Sequence, residues 1–137
     1  MGMFDVVGSL ILVAVGGALG GCARYLISGV IARHLGETFP WGTMTINVTG
    51  AFVIGLFGAL ATHPGSLFAS PNGSSNTWLF AVTGFLGCYT TVSSFSLQTL
   101  MLANNGEKRL AIGNVVLSVS LCLTAVASGF FLADRWG

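Results

Sequence analysis

The stretch Gly84-Phe85-Leu86-Gly87-Cys88-Tyr89-Thr90-Thr91-Val92-Ser93-Ser94-Phe95-Ser96 lies inside a hydrophobic segment that is long enough to cross a membrane. Two glycines and a run of hydroxyl side chains occur where a plain spanning helix would carry Leu, Ile, Val and Ala. In hydrocarbon every backbone N–H and C=O needs a partner, so irregular backbone is tolerated only inside protein or along a water-filled cavity. The stretch therefore predicts a helix that breaks in mid-membrane and frees carbonyl and hydroxyl groups to serve an ion.

The composition indicates an integral membrane protein. The chain has 137 residues, of which 53% are hydrophobic and 7% are charged, whereas an average soluble domain carries about 25% charged residues. A spanning helix needs roughly 20 apolar residues, which leaves room for about four spans. We predict an all-α membrane protein, with residues 1–137 forming one transmembrane domain in the lipid bilayer. The net charge of +1 indicates no nucleic-acid partner.

The predicted transmembrane helices cover residues 6–32, 41–61, 77–103 and 110–133, and the third is broken near its middle. Four spans place Arg33, Lys108 and Arg109 on one side of the membrane and Arg135 on the other. Because basic residues mark the cytoplasmic side, the termini would lie outside. The difference is small enough to permit insertion in both orientations.

Polar side chains interrupt three of the spans. Asn47, in the second, either joins helices or offers its two N–H donors to an anion. In the fourth, Asn114, Ser118 and Cys122 recur every four residues, so they line one face, which faces either a partner helix or a water path. Arg24, in the first, either snorkels to the interface or provides a fixed positive charge that attracts an anion.

Glycines four residues apart mark the middle of the first span, where Gly16 precedes Gly20 and Gly17 precedes Gly21. Small residues at this spacing let helix backbones approach closely in lipid. The pattern is typical of packing either within one subunit or between two subunits.

Several function classes are excluded by what the spans lack. They contain no Asp, Glu or Lys, although proton- and cation-coupled transporters usually need an intramembrane carboxylate. The sequence also has no phosphate-binding loop, no pair of metal ligands and no nucleophile with its base. We therefore predict that the protein is not an enzyme.

Three motifs in order resemble the CrcB/Fluc family of fluoride channels over essentially the whole chain. They are Gly17-x-x-Gly20-x-x-x-Arg24-Tyr25, Trp41-Gly42-Thr43-x-x-x-Asn47-x-x-Gly50 and Gly84-Phe85-Leu86-Gly87-x-x-Thr90-Thr91-x-Ser93-x-Phe95-Ser96. The resemblance implies an antiparallel, dual-topology homodimer of four-helix subunits in the cell (inner) membrane. It also implies passive, selective export of fluoride, which enters the cell as HF.

The resemblance also implies roles for individual residues. The backbone carbonyls of Gly87 and Thr90 would hold a structural Na⁺ at the dimer interface, and Arg24 would lie in a vestibule. The anion pathway would be lined by Asn47, Thr91, Val92, Phe95, Asn114 and Ser118.

The chain departs from the family pattern at a few positions. Val92 lies where the family usually has a second phenylalanine. One of the two aromatic rings whose edges would face the anion is therefore missing from each anion pathway. Asn114 lies where some members have tyrosine, Cys122 where serine is found, and Gln98 where glutamate is frequent. We predict that fluoride transport survives these changes.

Two alternatives remain from the sequence. A small multidrug or guanidinium-type exporter is also a four-span, dual-topology dimer, but it would need a glutamate within its first span. A non-transporting membrane assembly subunit would explain the glycine pairs and polar faces as packing. It would not explain a hydroxyl-rich break in mid-membrane.

Overall fold

The computed structural model describes residues 3–36, 38–63, 66–68 and 75–135. It contains five helical stretches: α1 (Met3–Leu35), α2 (Trp41–Thr62), α3 (76–89), α4 (Val92–Asn104) and α5 (Lys108–Asp134). Helices α3 and α4 together form the third predicted span and are separated by two extended residues. The predicted helices have the right number and order, and the observed ones are up to three residues longer at their ends.

Four segments of the described chain are long and apolar enough to cross a membrane. They are Asp5–Leu35, Trp41–Thr62, Asn76–Asn104 and Lys108–Asp134. The protein is thus all-helical, as predicted, and its four apolar helices fit a multi-pass membrane protein.

Tight turns join the helices at two glycines. Gly36 follows α1 with a φ of +80°, and its N–H donates to the Ala32 carbonyl at 2.9 Å. Gly106 follows α4 with a φ of +84°. Glycine adopts this left-handed conformation without the steric cost of a Cβ, so it ends a helix cleanly.

Helices α1 and α3 pack backbone against backbone. A Cβ on Gly16 would overlap the Phe80 carbonyl, and a Cβ on Gly20 would overlap the Phe85 carbonyl. On α3, a Cβ on Gly84 would lie 2.8 Å from the Val13 carbonyl oxygen. The Gly16–Gly20 pair therefore serves packing within the chain.

Helices α2 and α5 also pack backbone against backbone at glycines. A Cβ on Gly55 would overlap the Val126 carbonyl, and a Cβ on Gly129 would overlap the Phe52 carbonyl. Between the two helix pairs, the buried side chains of Ile46, Leu86 and Tyr89 form a small core. This core fixes the end of α3 against α2.

The third span changes helix type before it breaks. Residues Leu79–Leu86 form a π-helix, and Gly87–Tyr89 form one further α-helical turn. Thr90 then has a ψ of 158° and Thr91 a φ of −152°, so both are extended. The predicted break is therefore present near the middle of the third span, at Thr90–Thr91.

Candidate functional site

The break is held by the side chain of Asn47, from the middle of α2. Its Nδ2 donates to the Thr91 carbonyl at 2.9 Å, and its Oδ1 accepts from the Thr91 N–H at 2.8 Å. The carboxamide therefore pairs with both polar groups of one residue, as a neighbouring strand would. This satisfies backbone groups that the interrupted helix leaves without partners.

Thr91 also begins the next helix. Its Oγ1 accepts a hydrogen bond from the Ser94 N–H at 3.2 Å and donates to Ser94 Oγ at 3.3 Å. A threonine hydroxyl at this position is an ordinary N-cap. The side chain of Thr91, which we expected along the anion pathway, thus serves as a helix cap in this structure.

Two backbone N–H groups at the break donate to side chains as a result. In a continuous helix the Thr91 N–H would donate to the Gly87 carbonyl, and the Ser94 N–H would donate to the Thr90 carbonyl. Here the first N–H donates to Asn47 and the second to the Thr91 hydroxyl. The two affected carbonyls are those for which the sequence resemblance implied a sodium ion.

A glycine on α2 makes room for this backbone. A Cβ on Gly50 would overlap the methyl group of Thr90 and would lie 3.3 Å from a ring carbon of Tyr89. Gly50 therefore lets the end of α3 lie directly against α2, one turn from Asn47.

An open groove of about 490 Å³ runs along the break. Both carbonyl-bearing residues, Gly87 and Thr90, line it. So do five of the six residues expected along the anion pathway: Asn47, Thr91, Val92, Phe95 and Ser118. The structure therefore brings residues of three spans to one surface.

The sixth expected residue, Asn114, lies behind the groove and is only 1% exposed. Its Nδ2 donates to Thr99 Oγ1 at 2.8 Å, and the Thr99 hydroxyl donates to the Phe95 carbonyl at 2.7 Å. Its Oδ1 accepts from the Ser118 hydroxyl at 3.3 Å. Asn114 therefore connects α5 to α4, and the Ser118 proton points to it.

The direction of these bonds follows from elementary chemistry. A carbonyl only accepts, so the Thr99 hydroxyl must donate to Phe95 and accept from Asn114. The amide nitrogen must then face Thr99, which leaves its oxygen for Ser118. Thr99 was not among the residues expected at this site, although its position four residues after Phe95 places it on the same helix face.

Arg24 lies beside a smaller cavity of about 250 Å³ on the other side of the break. Hydroxyl side chains line this cavity, from residues Ser28, Thr43, Thr91 and Ser94. Thr91 thus borders both the Arg24 cavity and the groove. A third cavity of about 540 Å³ shares Ser28, Thr43 and Ser94 and extends to Gln98 and the turn at Asn105.

Three further residues line the walls of the groove and of the third cavity: Val92, Gln98 and Cys122. Val92, at the start of α4, is 76% exposed, so a larger side chain would have space there. The Oε1 atom of Gln98 is buried and has no hydrogen-bond partner within the described part of the chain. Cys122, predicted on the polar face of the last span, lines the groove beside Ser118.

The donor set is consistent with a cation bound by backbone. Among the described residues, no group of three or more His, Cys, Asp or Glu side chains could hold a metal ion. Carbonyl oxygens replace the hydration shell of alkali cations in ion-selective sites. The carbonyls of Gly87 and Thr90, each without its helical donor, fit such a cation.

Comparison with known proteins places the chain in a family. Residues 11–130 match the model of the CrcB-like protein family, described as Camphor Resistance (CrcB). The chain is 72% identical over 136 residues to the "Fluoride-specific ion channel FluC 2" of Bradyrhizobium diazoefficiens, covering 99% of this chain and 96% of that protein.

Other relatives have the same name. The chain is 57% identical to a "Fluoride-specific ion channel FluC 2" of Rhodopseudomonas palustris, covering 96% of this chain and 97% of that protein. It is 49% identical to "Fluoride-specific ion channel FluC" of Opitutus terrae, covering 88% and 89% respectively. Ion channels are not enzymes, which agrees with the prediction from the sequence. The chain therefore belongs to the CrcB/FluC family, as its three motifs predicted.

Proposed function

We propose that this protein is a fluoride-selective channel through which F⁻ leaves the cell passively across the cell (inner) membrane. The observation that carries the proposal is the groove at the break, which gathers Asn47, Phe95 and Ser118 from three spans. The names of relatives as similar as 72% support fluoride as the ion.

The groove has the groups that a dehydrated fluoride ion needs. Fluoride is small and strongly hydrated, so a pore must replace its water with hydrogen-bond donors. Asn47 uses one N–H on Thr91 and has a second. The first N–H groups of α4, which begins at Val92, have no partner within their helix and lie at its positive end. The Thr91 hydroxyl accepts from that of Ser94, which leaves those of Val92 and Ser93.

Phe95 and Ser118 complete the pathway in this proposal. The edge of an aromatic ring is electropositive, so the Phe95 ring would face the anion with its edge. The bond from Ser118 to Asn114 is 3.3 Å long, which is long for a bond between a hydroxyl and an oxygen. Turning that hydroxyl toward a passing anion therefore costs little.

We further infer that two antiparallel copies form the channel. Gly87 and Val92 are exposed at the break, in the middle of the third span. Hydrocarbon cannot satisfy free carbonyls, so this surface needs protein against it. A second copy in the opposite orientation would cover it, and a structural Na⁺ held by the Gly87 and Thr90 carbonyls would supply positive charge between the copies.

Fluoride efflux from proteoliposomes tests the function. Wild-type protein should release fluoride but not chloride, and removal of sodium should reduce the rate. Asn47→Asp, which adds negative charge, and Phe95→Ile, which removes the ring, should reduce fluoride efflux. The matched control is Thr49→Val, two residues from Asn47. Fluoride release no faster than from protein-free liposomes, or equal release by all variants, would contradict the proposal.

Labelling from one side of the membrane tests the dual topology. In a cysteine-free background, Asn105→Cys places one thiol in the exposed turn after α4. A membrane-impermeant maleimide added outside intact cells should label about half of the molecules, because a weak charge bias allows both orientations. Complete labelling, or none, would show a single orientation.

A further inference from the structure

We infer that Asn47 and Thr91 are positioning residues that create the cation site. Each accepts a hydrogen bond from an N–H group that a continuous helix would pair with a backbone carbonyl, and we call this an interception. The inference rests on the proposed function for the presence of a cation, and it goes beyond a role for Asn47 in lining the anion path. It assigns to the two side chains the task of keeping the Gly87 and Thr90 carbonyls unpaired.

The first interception is made by Asn47. An uninterrupted helix would pair the Thr91 N–H with the Gly87 carbonyl. In the structure that N–H donates to Asn47 Oδ1 at 2.8 Å, and Asn47 Nδ2 binds the Thr91 carbonyl at 2.9 Å. Both bonds join positions 44 residues apart in the chain. Together the two bonds fix the plane of the Asn47 carboxamide. The bond from Nδ2 to the Thr91 carbonyl therefore keeps Oδ1 in place to accept from the Thr91 N–H.

The second interception is made by Thr91 itself. The Ser94 N–H, which would pair with the Thr90 carbonyl in a helix, donates to Thr91 Oγ1 at 3.2 Å. Thr90 is extended, with a ψ of 158°, so its carbonyl points away from the helix direction. Its own hydroxyl donates back to the Leu86 carbonyl at 3.0 Å and is not part of this interception.

Removing either intercepting group should return an N–H to its helical acceptor. A buried N–H without a partner is unfavourable, above all in a membrane. Without Asn47, the acceptor that a continuous helix would offer the Thr91 N–H is the carbonyl of Gly87, one helical turn earlier. The span would then close toward a continuous helix, and the carbonyl would be lost to a cation.

Sodium-dependent melting of the purified full-length protein in detergent tests the inference. We compare NaCl with choline chloride at equal ionic strength and measure the melting temperature. A ligand that binds only the folded state raises this temperature. Asn47→Leu should reduce the sodium-dependent rise to less than about a fifth of the wild-type value. Thr91→Val, which keeps the side-chain shape and removes the cap, should reduce it in the same direction.

The matched control is Thr49→Val. The Thr49 hydroxyl also links α2 to the end of α3, through Tyr89 Oη at 2.9 Å, but it touches no backbone group of the break. This variant should keep the full sodium-dependent rise. A full rise in folded Asn47→Leu or Thr91→Val protein would overturn the inference, as would an equal reduction in Thr49→Val.

A rescue separates positioning from general destabilisation. In Asn47→Leu protein, residue 91 is replaced by the α-hydroxy acid analogue of threonine, so that an ester without an N–H replaces the amide. The Gly87 carbonyl then has no competing donor, and the sodium-dependent rise should return. Because the ester also weakens the Thr90 carbonyl as a ligand, the reference is otherwise wild-type protein with the same ester. A rise in the Asn47→Leu ester protein that stays well below this reference would overturn the assignment to Asn47.

Failure of this inference can be distinguished from failure of the proposed channel function. Wild-type protein that conducts fluoride but shows no sodium-dependent rise would leave the channel proposal intact and overturn this inference. Wild-type protein that shows the rise, and loses it in Asn47→Leu, but conducts no fluoride would contradict the channel and support the inference.

Discussion

Oδ1 of Asn114 accepts the hydroxyl proton of Ser118 across 3.3 Å, one turn apart on α5. The same amide donates to Thr99 Oγ1 on α4 at 2.8 Å. One buried side chain therefore sets the resting direction of the Ser118 hydroxyl and connects the last span to the second half of the third.

Asn114→Leu should destabilise the protein. The change leaves the buried Ser118 and the half-buried Thr99 each without one partner. Loss of a partner in a buried site costs about 1–3 kcal/mol of unfolding free energy. Thermal melting in detergent measures the change. Thr124→Val is the control, because the exposed Thr124 hydroxyl bonds only to the Ser120 carbonyl of its own helix. Equal melting temperatures for wild-type and Asn114→Leu protein would show that the hydrogen bonds of Asn114 do not contribute to stability.

Val92→Phe should accelerate fluoride efflux. Val92 is 76% exposed and borders the groove, so a ring fits there and adds a second electropositive edge. An aromatic contact of about 0.5–1.5 kcal/mol corresponds to roughly a two- to tenfold change in rate. Efflux from liposomes measures it, and Val92→Leu adds bulk without a ring. The same acceleration by both variants would exclude an effect of the ring edge.

Gly20→Ala and Gly21→Ala should differ sharply in stability, although the two positions are adjacent. A Cβ on Gly20 would overlap the Phe85 carbonyl, whereas a Cβ on Gly21 would meet no atom within 4 Å. Overpacking costs about 1–3 kcal/mol, so Gly20→Ala should melt at a lower temperature. Gly21→Ala should melt at or above the wild-type temperature, since alanine favours helix. A lower melting temperature for Gly21→Ala alone would contradict the packing of α1 on α3.

Arg24→Gln should slow fluoride efflux in a salt-dependent way. Arg24 borders the cavity beside Thr91, where its charge would attract an anion toward the break. A unit charge at close range is worth about 1 kcal/mol in water, or roughly fivefold in rate, and salt screens it. Arg109→Gln removes the same charge from an exposed site at the start of α5. Equal slowing by both variants, or no dependence on ionic strength, would contradict a local role.

Much of the fold could be predicted from the sequence because each span is a local property. The number of spans follows from the length of apolar runs, and glycine and proline mark their limits. The position of the break was predictable because hydroxyl residues and glycines replace the aliphatic residues that hydrocarbon requires. The Gly16–Gly20 spacing predicted close packing, but its partner helix could not be read from the spacing alone.

The candidate site was predicted as a set of residues but not as an arrangement. Asn47 was expected either to join helices or to offer its two N–H donors to an anion, and the structure shows one of these donors on the Thr91 carbonyl. Ser118 was expected along the anion pathway, and its hydroxyl donates to Asn114 Oδ1. Both differences come from partners on other helices, which a periodic pattern along one helix does not identify.

By itself, the sequence determined that this chain spans a membrane, where its third span is interrupted, and to which family it belongs. Only the tertiary structure decided which acceptor the N–H group of Thr91 uses. A helical N–H has two competing acceptors here, the carbonyl one turn earlier and the Asn47 side chain 44 residues away. The packing of α2 against α3 decides between them, because it places the Asn47 amide within hydrogen-bond distance of Thr91.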